Sequence, residues 1–304
     1  MAVSPVGEAL ALEPARAATR RIPLWLTQLT RRRITLIGLV IMVVTLTVGV
    51  LAPVIAGNPT HMDVKARLSK PGATHWFGTD DVGRDVYNRV VYGARLSLMV
   101  GGAVVAFSLV FGLTAGLVAG YYRALDNPIM RVMDGLMAFP AIILAIALMA
   151  SLGPSVTNVI VAIGVVYTPR VARVVRGSVL VVRETAYVEA ARALGISDLG
   201  LIARHILPNC LSPVIVQGSF VFAAAVLTEA ALSFLGVGVP PYVPSWGNIL
   251  SEGRLYIQQA PWLVLYPGAA IMLTILGLNL FGDGLRDVLD PKIRGLQGDR
   301  QRAG

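Results

Sequence analysis

Long apolar runs, separated by short polar segments, cover most of the chain. A helix needs about 20 apolar residues to cross the hydrocarbon core of a bilayer. Runs of this kind lie at roughly 34–56, 97–121, 134–152, 155–172, 211–236 and 262–283. The pattern predicts an all-α integral membrane protein with about six transmembrane helices between residues 34 and 283.

A turn cluster divides the third apolar run from the fourth. Ser151-Leu152-Gly153-Pro154-Ser155 interrupts a stretch of about 40 residues, which is too long to cross the membrane once even when tilted. We therefore predict two spans joined by a tight turn. The first run follows Arg31-Arg32-Arg33 and is longer than the apolar core of a signal peptide, which favours an uncleaved signal-anchor.

Lys and Arg are distributed unevenly between the two sides of this topology. If the N-terminus is inside, seven of the 26 basic residues fall outside: Lys65, Arg67, Lys70, Arg84, Arg89, Arg95 and Arg254. The others fall inside, as the positive-inside rule expects, so both termini are predicted to be cytoplasmic. The segments outside the spans are then a cytoplasmic leader (1–33), an extracytoplasmic loop with an amphipathic helix (57–96), a cytoplasmic loop (173–210), a second extracytoplasmic loop (237–261) and a cytoplasmic tail (284–304).

The composition supports a membrane protein and argues against several other classes. Hydrophobic residues make up 55% of the chain and charged residues 14%, against about a quarter in soluble domains. The net charge of +9 does not indicate nucleic-acid binding, because the basic clusters flank apolar runs and share no stripe with stacking aromatics. The single cysteine, Cys210, excludes an intrachain disulfide, and no phosphate-binding loop ending in Gly-Lys-Ser or Gly-Lys-Thr is present.

The cytoplasmic loop predicts two short helices joined at a glycine. Residues 184–194 are strong helix formers, Gly195 ends this helix, and Ser197 can cap the next one. Either the pair lies on the membrane surface with its arginines near lipid phosphates, or it is a docking site for a soluble partner.

The second of these helices is predicted to carry an apolar stripe. Leu199, Ile202 and Ile206 recur at helical spacing along one face. Pro208 fits poorly inside a continuing helix and is predicted to mark the turn into the fifth span.

The first extracytoplasmic loop carries a charged motif made of Asp80, Asp81, Gly83, Arg84 and Asp85. An amphipathic helix is predicted from Arg84 to Leu96. The aspartates can pair with Arg84 and Arg89, and exposed pairs of this kind stabilise by less than about 1 kcal/mol. They do not predict a metal site, because no histidine or backbone cage stands at ligand spacing.

Polar residues inside the spans are candidates for a solute path, because a charge in hydrocarbon usually faces a cavity or a partner. Glu229, beside Thr228, either lines a path or pairs with a backbone donor or an arginine and sets the packing, and we favour the second interpretation. Asn158 and Asn279 are weaker candidates for the path, because asparagine in a span often only bonds a neighbouring helix.

Asp134 is predicted near the cytoplasmic end of the third span, one turn from Arg131. We favour an ion pair with Arg131 or with the Arg170 and Arg173 end of the fourth span over a proton relay.

The cytoplasmic loop also carries a family resemblance. Glu189-Ala190-Ala191, Gly195 and Ile206-Leu207-Pro208 resemble the EAA loop of binding-protein-dependent ABC importer permeases. In that family the loop forms the coupling helices that fit a groove in a cytoplasmic ATPase. The resemblance favours the docking interpretation and implies that these seven residues form the ATPase-coupling site.

Physical roles can be suggested for several of these residues. Ala190 and Ala191 are expected to keep the surface flat enough for a groove to close over it. Glu189 is expected to reach a basic group on the ATPase, or Arg183 or Arg192 nearby.

Three further stretches narrow the family. Residues 75–97, 228–247 and 282–291 resemble C-type subunits of the dipeptide/oligopeptide/nickel branch, and the likeness covers about 30–295. The resemblance implies the type I ABC importer permease fold in a bacterial cytoplasmic membrane. It also implies a heterodimer with a homologous permease subunit, two cytoplasmic ATPase domains that hold ATP and Mg, and an extracytoplasmic solute-binding protein. This chain is expected to hold no cofactor, metal or catalytic residue.

Short peptides are the solute that this resemblance favours, with nickel chelates or glutathione-like solutes as alternatives. A proton-coupled secondary transporter is a more distant alternative, and the lack of a clear inverted repeat counts mildly against it. An intramembrane enzyme would need a nucleophile–base pair or a His/Asp metal cluster at membrane depth, and the sequence predicts neither.

Overall fold

The structure, a computed structural model, describes residues 33–289. The predicted leader, apart from Arg33, and residues 290–304 of the predicted tail lie outside the described residues. The described chain forms the α-helices α1 (Arg33–Ile55), α2 (Val86–Tyr121), α3 (Arg123–Met137), α4 (Ala141–Leu152), α5 (Val156–Val182), α6 (Ala186–Ala193), α7 (Asp198–Leu201), α8 (Leu207–Phe234), α9 (Trp246–Gly253) and α10 (Trp262–Leu289). A π-helical turn (Ile202–Ile206) joins α7 to α8, and two short 3₁₀ turns (Val64–Ala66 and Arg254–Tyr256) lie in loops.

The prediction of an all-α membrane protein is confirmed for the described residues. Five helices are long and apolar enough to span a bilayer: α1, α2, α5, the unbroken helix from Asp198 to Phe234, and α10. In the same residues the extended structure is limited to one isolated bridge, between Thr79 and Asp85.

The third predicted span, 134–152, is wrong as a single straight helix. The chain bends by 92° between α3 and α4. Pro140 stands at the bend, where it lacks an N–H and disfavours helical backbone at the preceding residue. The 12 residues of α4 extend about 18 Å, too short to cross the hydrocarbon core alone. A sixth crossing therefore needs both halves of the bent pair.

Two predicted boundaries lie inside longer helices. The amphipathic helix predicted from Arg84 to Leu96 is the first part of α2, which Asp85 caps by accepting a hydrogen bond from the Asn88 N–H at 3.1 Å. The fourth span, predicted to end at 172, continues as α5 to Val182. It continues because Val175 and Val179 remain buried on one face of the helix.

Glycines bring α2 and α5 into close contact. Gly112, Gly116 and Gly120 stand four residues apart, and they face Val171, Val175 and Val179 in the same order. A Cβ on Gly116 would lie 2.5 Å from the carbonyl oxygen of Ala172, so no larger residue fits without a shift. Small residues at this spacing let membrane helices approach closely.

The same contacts establish the direction of the chain. Since α2 and α5 run parallel, both begin at the same end of the bundle. The bent pair α3–α4 must therefore return the chain across the bundle between them. The bent pair is also long and apolar enough to be a sixth candidate span beside the other five.

Contacts near the ends of the helices define the two ends of the bundle. At one end, the indole N–H groups of Trp246 and Trp262 donate to the carbonyl oxygens of Val90 and Thr79 at 2.9 and 3.1 Å. We call this the α9 end. At the other, α6 end, the Tyr121 hydroxyl donates to Asp198 at 2.6 Å.

Candidate functional site

Two helices at the α6 end form a bracket, residues 186–206, joined through Gly195. The φ angle of Gly195 is 81°, in the left-handed region, and a Cβ there would meet nothing within 4 Å. Backbone conformation, and not lack of space, therefore calls for glycine. Ser197 caps α7 by accepting a hydrogen bond from the Gly200 N–H at 3.4 Å. The predicted glycine stop and serine cap are both confirmed.

A small buried core gives the bracket a fixed base. Val188, Ala191 and Leu201 are buried against one another, with Val182 packed beside them. Because the core joins α6 to α7, it holds the relative orientation of the two helices.

The opposite face of the bracket is exposed and rich in apolar side chains. Leu194 is 84% exposed, Leu199 is 76% exposed and Tyr187 is 47% exposed. Glu189 and Ala190 are also exposed. Exposed apolar patches with polar rims are typical of interaction surfaces.

Two expectations for the bracket are wrong. Ala191 does not form the surface with Ala190, because it is buried in the core of the bracket. The predicted stripe of Leu199, Ile202 and Ile206 does not lie on one face, since Leu199 is exposed and Ile206 is buried. The π-helical turn changes the rotation per residue, and this moves the helix out of the register that regular spacing assumes.

Pro208 does not mark a turn into the next span. The helix runs unbroken from Asp198 to Phe234 with Pro208 near the start of α8. In the π-helical turn just before it, the Leu207 N–H bonds to the carbonyl oxygen of Ile202, five residues back. This wider turn leaves room for a proline ring that would crowd the preceding turn of a regular α-helix.

Neither arginine near Glu189 pairs with it in the described part of the chain. Arg183 donates to the Glu184 carboxylate at 3.0 Å and to the carbonyl oxygen of Gly120 at 2.6 Å. The Arg192 guanidinium lies over the ring of Tyr121, 5.8 Å from its centroid. Glu189 therefore remains exposed for a partner outside these residues.

Helix α3 is tied to α5 by two ion pairs. Arg173 donates to Asp134 at 2.6 Å, which confirms the predicted link to the fourth span. Arg176 donates through two nitrogens to Asp126 at 2.5 and 2.6 Å. The first pair is exposed and stabilises little, whereas the bidentate pair is better placed.

At the α9 end, the charged motif forms a buried cluster of ion pairs. Arg89 donates to Asp80 at 2.7 Å and to the two oxygens of Glu252 at 2.5 and 3.1 Å. Arg84 donates to Asp80 at 2.6 Å and to Glu252 at 2.8 Å. Asp80 and Arg89 are fully buried, so the expectation of exposed pairs is wrong. Burial acts to lower the pKa of Arg84, but Glu252 and Asp80 outweigh it and raise that pKa.

The other residues of the motif have structural roles. Gly83 has a φ of 81°, and a Cβ there would lie 1.8 Å from the carbonyl oxygen of Asp63. Asp85 caps α2 and lies 2.8 Å from the imidazole of His75. The carboxylates of Asp80, Asp81 and Glu252 come within 4.8 Å of one another. The two arginines already balance most of this charge, so the cluster does not call for a metal ion.

Glu229 is fully buried and accepts hydrogen bonds from two serine hydroxyls, from Ser97 of α2 at 3.0 Å and Ser233 at 2.9 Å. These contacts agree better with a role of Glu229 in helix packing than with a role in a solute path. The partners are serines, however, and not the arginine or backbone donor that we expected. Thr228 lies 2.9 Å from the Tyr167 hydroxyl of α5. Both residues therefore join helices within the chain.

The two asparagines differ. The Asn158 side chain donates to the carbonyl oxygens of Leu152 and Gly153 at 2.7 and 3.0 Å, so it holds the turn between α4 and α5. Asn279 is half-buried on α10 and forms no side-chain hydrogen bond within the described residues.

Sequence reasoning missed two features. Glu252 lies about 160 residues from its arginine partners, and no local signal connects them. Gly112, Gly116 and Gly120 do carry a signal, because their four-residue spacing is a helix-packing motif in membranes.

The chain is similar to proteins of known families. A family model described as "Binding-protein-dependent transport system inner membrane component" matches residues 108–295. A putative peptide transport system permease protein of Brucella suis is 53% identical over 88% of this chain and 90% of its own. A dipeptide transport system permease protein of Alkalihalophilus pseudofirmus is 48% identical over 88% of each chain.

Two further comparisons concern a relative named for a different solute and a solved structure with a similar fold. A glutathione transport system permease protein of Pectobacterium atrosepticum is 44% identical over 74% of this chain and 75% of its own. Among solved structures, a chain of the MetNI methionine ABC transporter in an inward-facing conformation matches with a TM-score of 0.56. It is 18% identical and covers 66% of this chain and 96% of that chain, a likeness that shows the fold alone.

Proposed function

Because the chain belongs to the family of binding-protein-dependent transport system inner membrane components, we propose that it is the permease subunit of an ATP-driven importer of short peptides. Its fold is that of a type I ABC importer permease. Two relatives of about 50% identity are named as peptide or dipeptide permeases, which supports peptides as the solute.

The exposed face of the bracket is the observation that carries this proposal. A buried core holds α6 against α7, and the side chains of Glu189, Leu194 and Leu199 remain exposed on the outside. A fixed, partly apolar surface suits a groove on a soluble partner. In this proposal the partner is a pair of cytoplasmic ATPase domains, which bind ATP and Mg and hydrolyse the nucleotide.

The unbroken helix from Asp198 to Phe234 supports a coupling role for this surface. Displacement of the bracket is transmitted along the helix backbone, because a continuous helix resists bending better than a loop. Closure of the ATPase pair thereby moves α8 and opens a path between this chain and a homologous permease subunit.

The proposed complex lies in the bacterial inner membrane with the α6 end in the cytoplasm. The distribution of Lys and Arg supports this orientation. The α9 end then faces outward, where a solute-binding protein docks. Of the four polar residues considered for the path, Asn279 remains a candidate, because Glu229, Thr228 and Asn158 already bond within the chain.

Docking is tested with a charge placed on the bracket and a matched charge placed elsewhere. Leu199→Glu should prevent the ATPase pair from co-purifying with the complex, because it puts a carboxylate in an apolar contact. Leu255→Glu is the control, since Leu255 is 74% exposed against 76% for Leu199 but lies at the α9 end. Equal recovery of the ATPase with both variants, or its absence from the unmodified complex, would refute the docking proposal.

The solute is tested on the cognate solute-binding protein. Its affinity for dialanine, a pentapeptide, glutathione and a nickel chelate is measured by calorimetry. Tighter binding of either peptide supports the proposal. Tighter binding of glutathione or the nickel chelate replaces the peptide assignment but keeps the importer.

A further inference from the structure

The last residue of α2, Tyr121, contacts both helices of the bracket. The Tyr121 hydroxyl donates to the Asp198 carboxylate in the first turn of α7 at 2.6 Å. The Arg192 guanidinium of α6 lies over the ring of the same tyrosine at 5.8 Å. A single side chain of α2 therefore contacts both helices of the bracket, although 77 residues separate Tyr121 from Asp198.

The contact to Asp198 is the stronger of the two. A hydroxyl that donates to an ionised carboxylate forms a shorter and stronger hydrogen bond than two neutral groups do. The contact with Arg192 is an exposed cation–π interaction, which is weaker and less directional. Asp198 also begins the unbroken helix that becomes α8, so Tyr121 is attached where that helix starts.

Helix α2 is packed so closely against α5 that the two helices are expected to move together. Gly112, Gly116 and Gly120 pack against the backbone and valines of α5 with no space for a Cβ. The Arg183 guanidinium at the end of α5 also donates to the carbonyl oxygen of Gly120 at 2.6 Å. A force applied to Tyr121 therefore acts on α2 and α5 as one packed pair.

We propose that Tyr121 is a positioning residue that couples the bracket to α2, so that ATPase closure drives the α2–α5 pair as well as α8. This inference rests on the proposed function, because it needs an ATPase that moves the bracket. The bracket is already joined by backbone to α8 and, through residues 183–185, to α5. The contact of Tyr121 adds a direct route to α2, which passes through a side-chain hydrogen bond.

The experiment follows hydrogen–deuterium exchange in the full complex, compared between the nucleotide-free state and the state trapped with ATP and vanadate. In the unmodified complex, peptides from α2 and from α8 should both change their exchange rate by at least about fivefold, if local opening shifts by as much as the weakest typical coupling between two binding sites. In Tyr121→Phe the α8 response should remain, and the α2 response should fall by at least about half, because the backbone link from the bracket to α5 is still present.

A neighbouring tyrosine supplies a matched control. Tyr122→Phe removes the same hydroxyl one residue along, and within the described residues that hydroxyl has no hydrogen-bond partner. It should leave both responses unchanged. Asp198→Asn keeps an acceptor for Tyr121 and should preserve the α2 response, whereas Asp198→Ala should reduce it as Tyr121→Phe does.

The outcomes separate this inference from the function on which it rests. A reduced α2 response in Tyr121→Phe, with ATPase still bound and α8 still responding, supports the inference. A preserved α2 response in that variant, or no α2 response in the unmodified complex, overturns it and leaves the importer assignment intact. An unmodified complex that binds no ATPase overturns both.

Discussion

The buried ion-pair cluster at the α9 end makes a quantitative prediction about stability. Arg89 is almost completely buried and donates to Asp80 and to both oxygens of Glu252. The substitution Arg89→Met removes the charge but keeps much of the side-chain volume. It leaves Asp80 fully buried with one remaining cation, Arg84, at 2.6 Å.

The loss in the free energy of unfolding depends on the charges that remain in the cluster after Arg89→Met. Breaking a buried ion pair by removing one partner typically costs about 3–5 kcal/mol, because the other charge stays buried without compensation. Arg84 still neutralises part of that charge, and the Glu252 side chain is 25% exposed, so water can solvate it. We therefore expect a loss of about 3 kcal/mol in the free energy of unfolding, at the lower end of that range.

A second substitution tests whether charge balance is the cause. Arg89→Met leaves the two carboxylates that Arg89 contacted, Asp80 and Glu252, with one guanidinium, that of Arg84, and Glu252→Gln then restores one of each. The double variant should therefore cost no more than Arg89→Met alone, which is a strongly non-additive result. Arg95→Met is the control, because Arg95 lies on the same helix but is exposed.

Unfolding in mixed micelles with increasing SDS measures these free energies. The expected order is a large loss for Arg89→Met, a similar or smaller loss for the double variant and almost none for Arg95→Met. Additive losses in the double variant would show that packing and not charge balance accounts for the effect. Equal losses for Arg89→Met and Arg95→Met would show that burial of the cluster has no energetic consequence.

Three further predictions concern glycines and the buried glutamate. Gly116→Leu should lower the stability of the folded chain by about 3 kcal/mol, the upper end of the typical cost of overpacking, because it crowds α5. Gly102→Ala on the same helix should be nearly neutral, and equal thermal midpoints for the two variants would contradict this. Gly195→Ala should cost about 1–2 kcal/mol through left-handed strain, while Gly135→Ala, also in open space, should not; a neutral Gly195→Ala in SDS unfolding would count against the strain. Glu229→Gln should keep the fold and the order of solute preference in uptake assays. Glu229→Ala should lower the free energy of unfolding by about 1–3 kcal/mol, because the hydroxyls of Ser97 and Ser233 lose their acceptor. A changed solute preference in Glu229→Gln would indicate a role in the path.

Local sequence signals predicted the bracket well where they depend on near neighbours. The positive φ of Gly195 and the cap at Ser197 follow from residue types within one helical turn. The same reasoning failed for Leu199 and Pro208, because a π-helical turn between them changes the register. The prediction of a helical face from residue spacing assumes a regular α-helix, so it fails where a π-helical turn is inserted.

The depth of burial was the least predictable property of the candidate sites. Asp80 and Arg89 read as an exposed pair in a polar loop, yet α9 covers them and supplies Glu252. Glu229 stands in an apolar run, and its partner Ser97 lies on a helix 132 residues earlier. The sequence near Arg89 does not indicate Glu252, and the sequence near Glu229 does not indicate Ser97. Burial depends on which distant segments of the chain pack together.

The sequence by itself determined the number of apolar segments, the glycine stop and serine cap of the bracket, and the motifs of the importer family. Hydrophobic periodicity and turn chemistry act over a few residues, so they are written in the local pattern. The tertiary structure alone decided the bend between α3 and α4 as a return crossing, the closed glycine contact of α2 with α5, and the link from Tyr121 to the bracket. These features arise from contacts between residues far apart in the chain, whose free energy exists only once the helices have packed together.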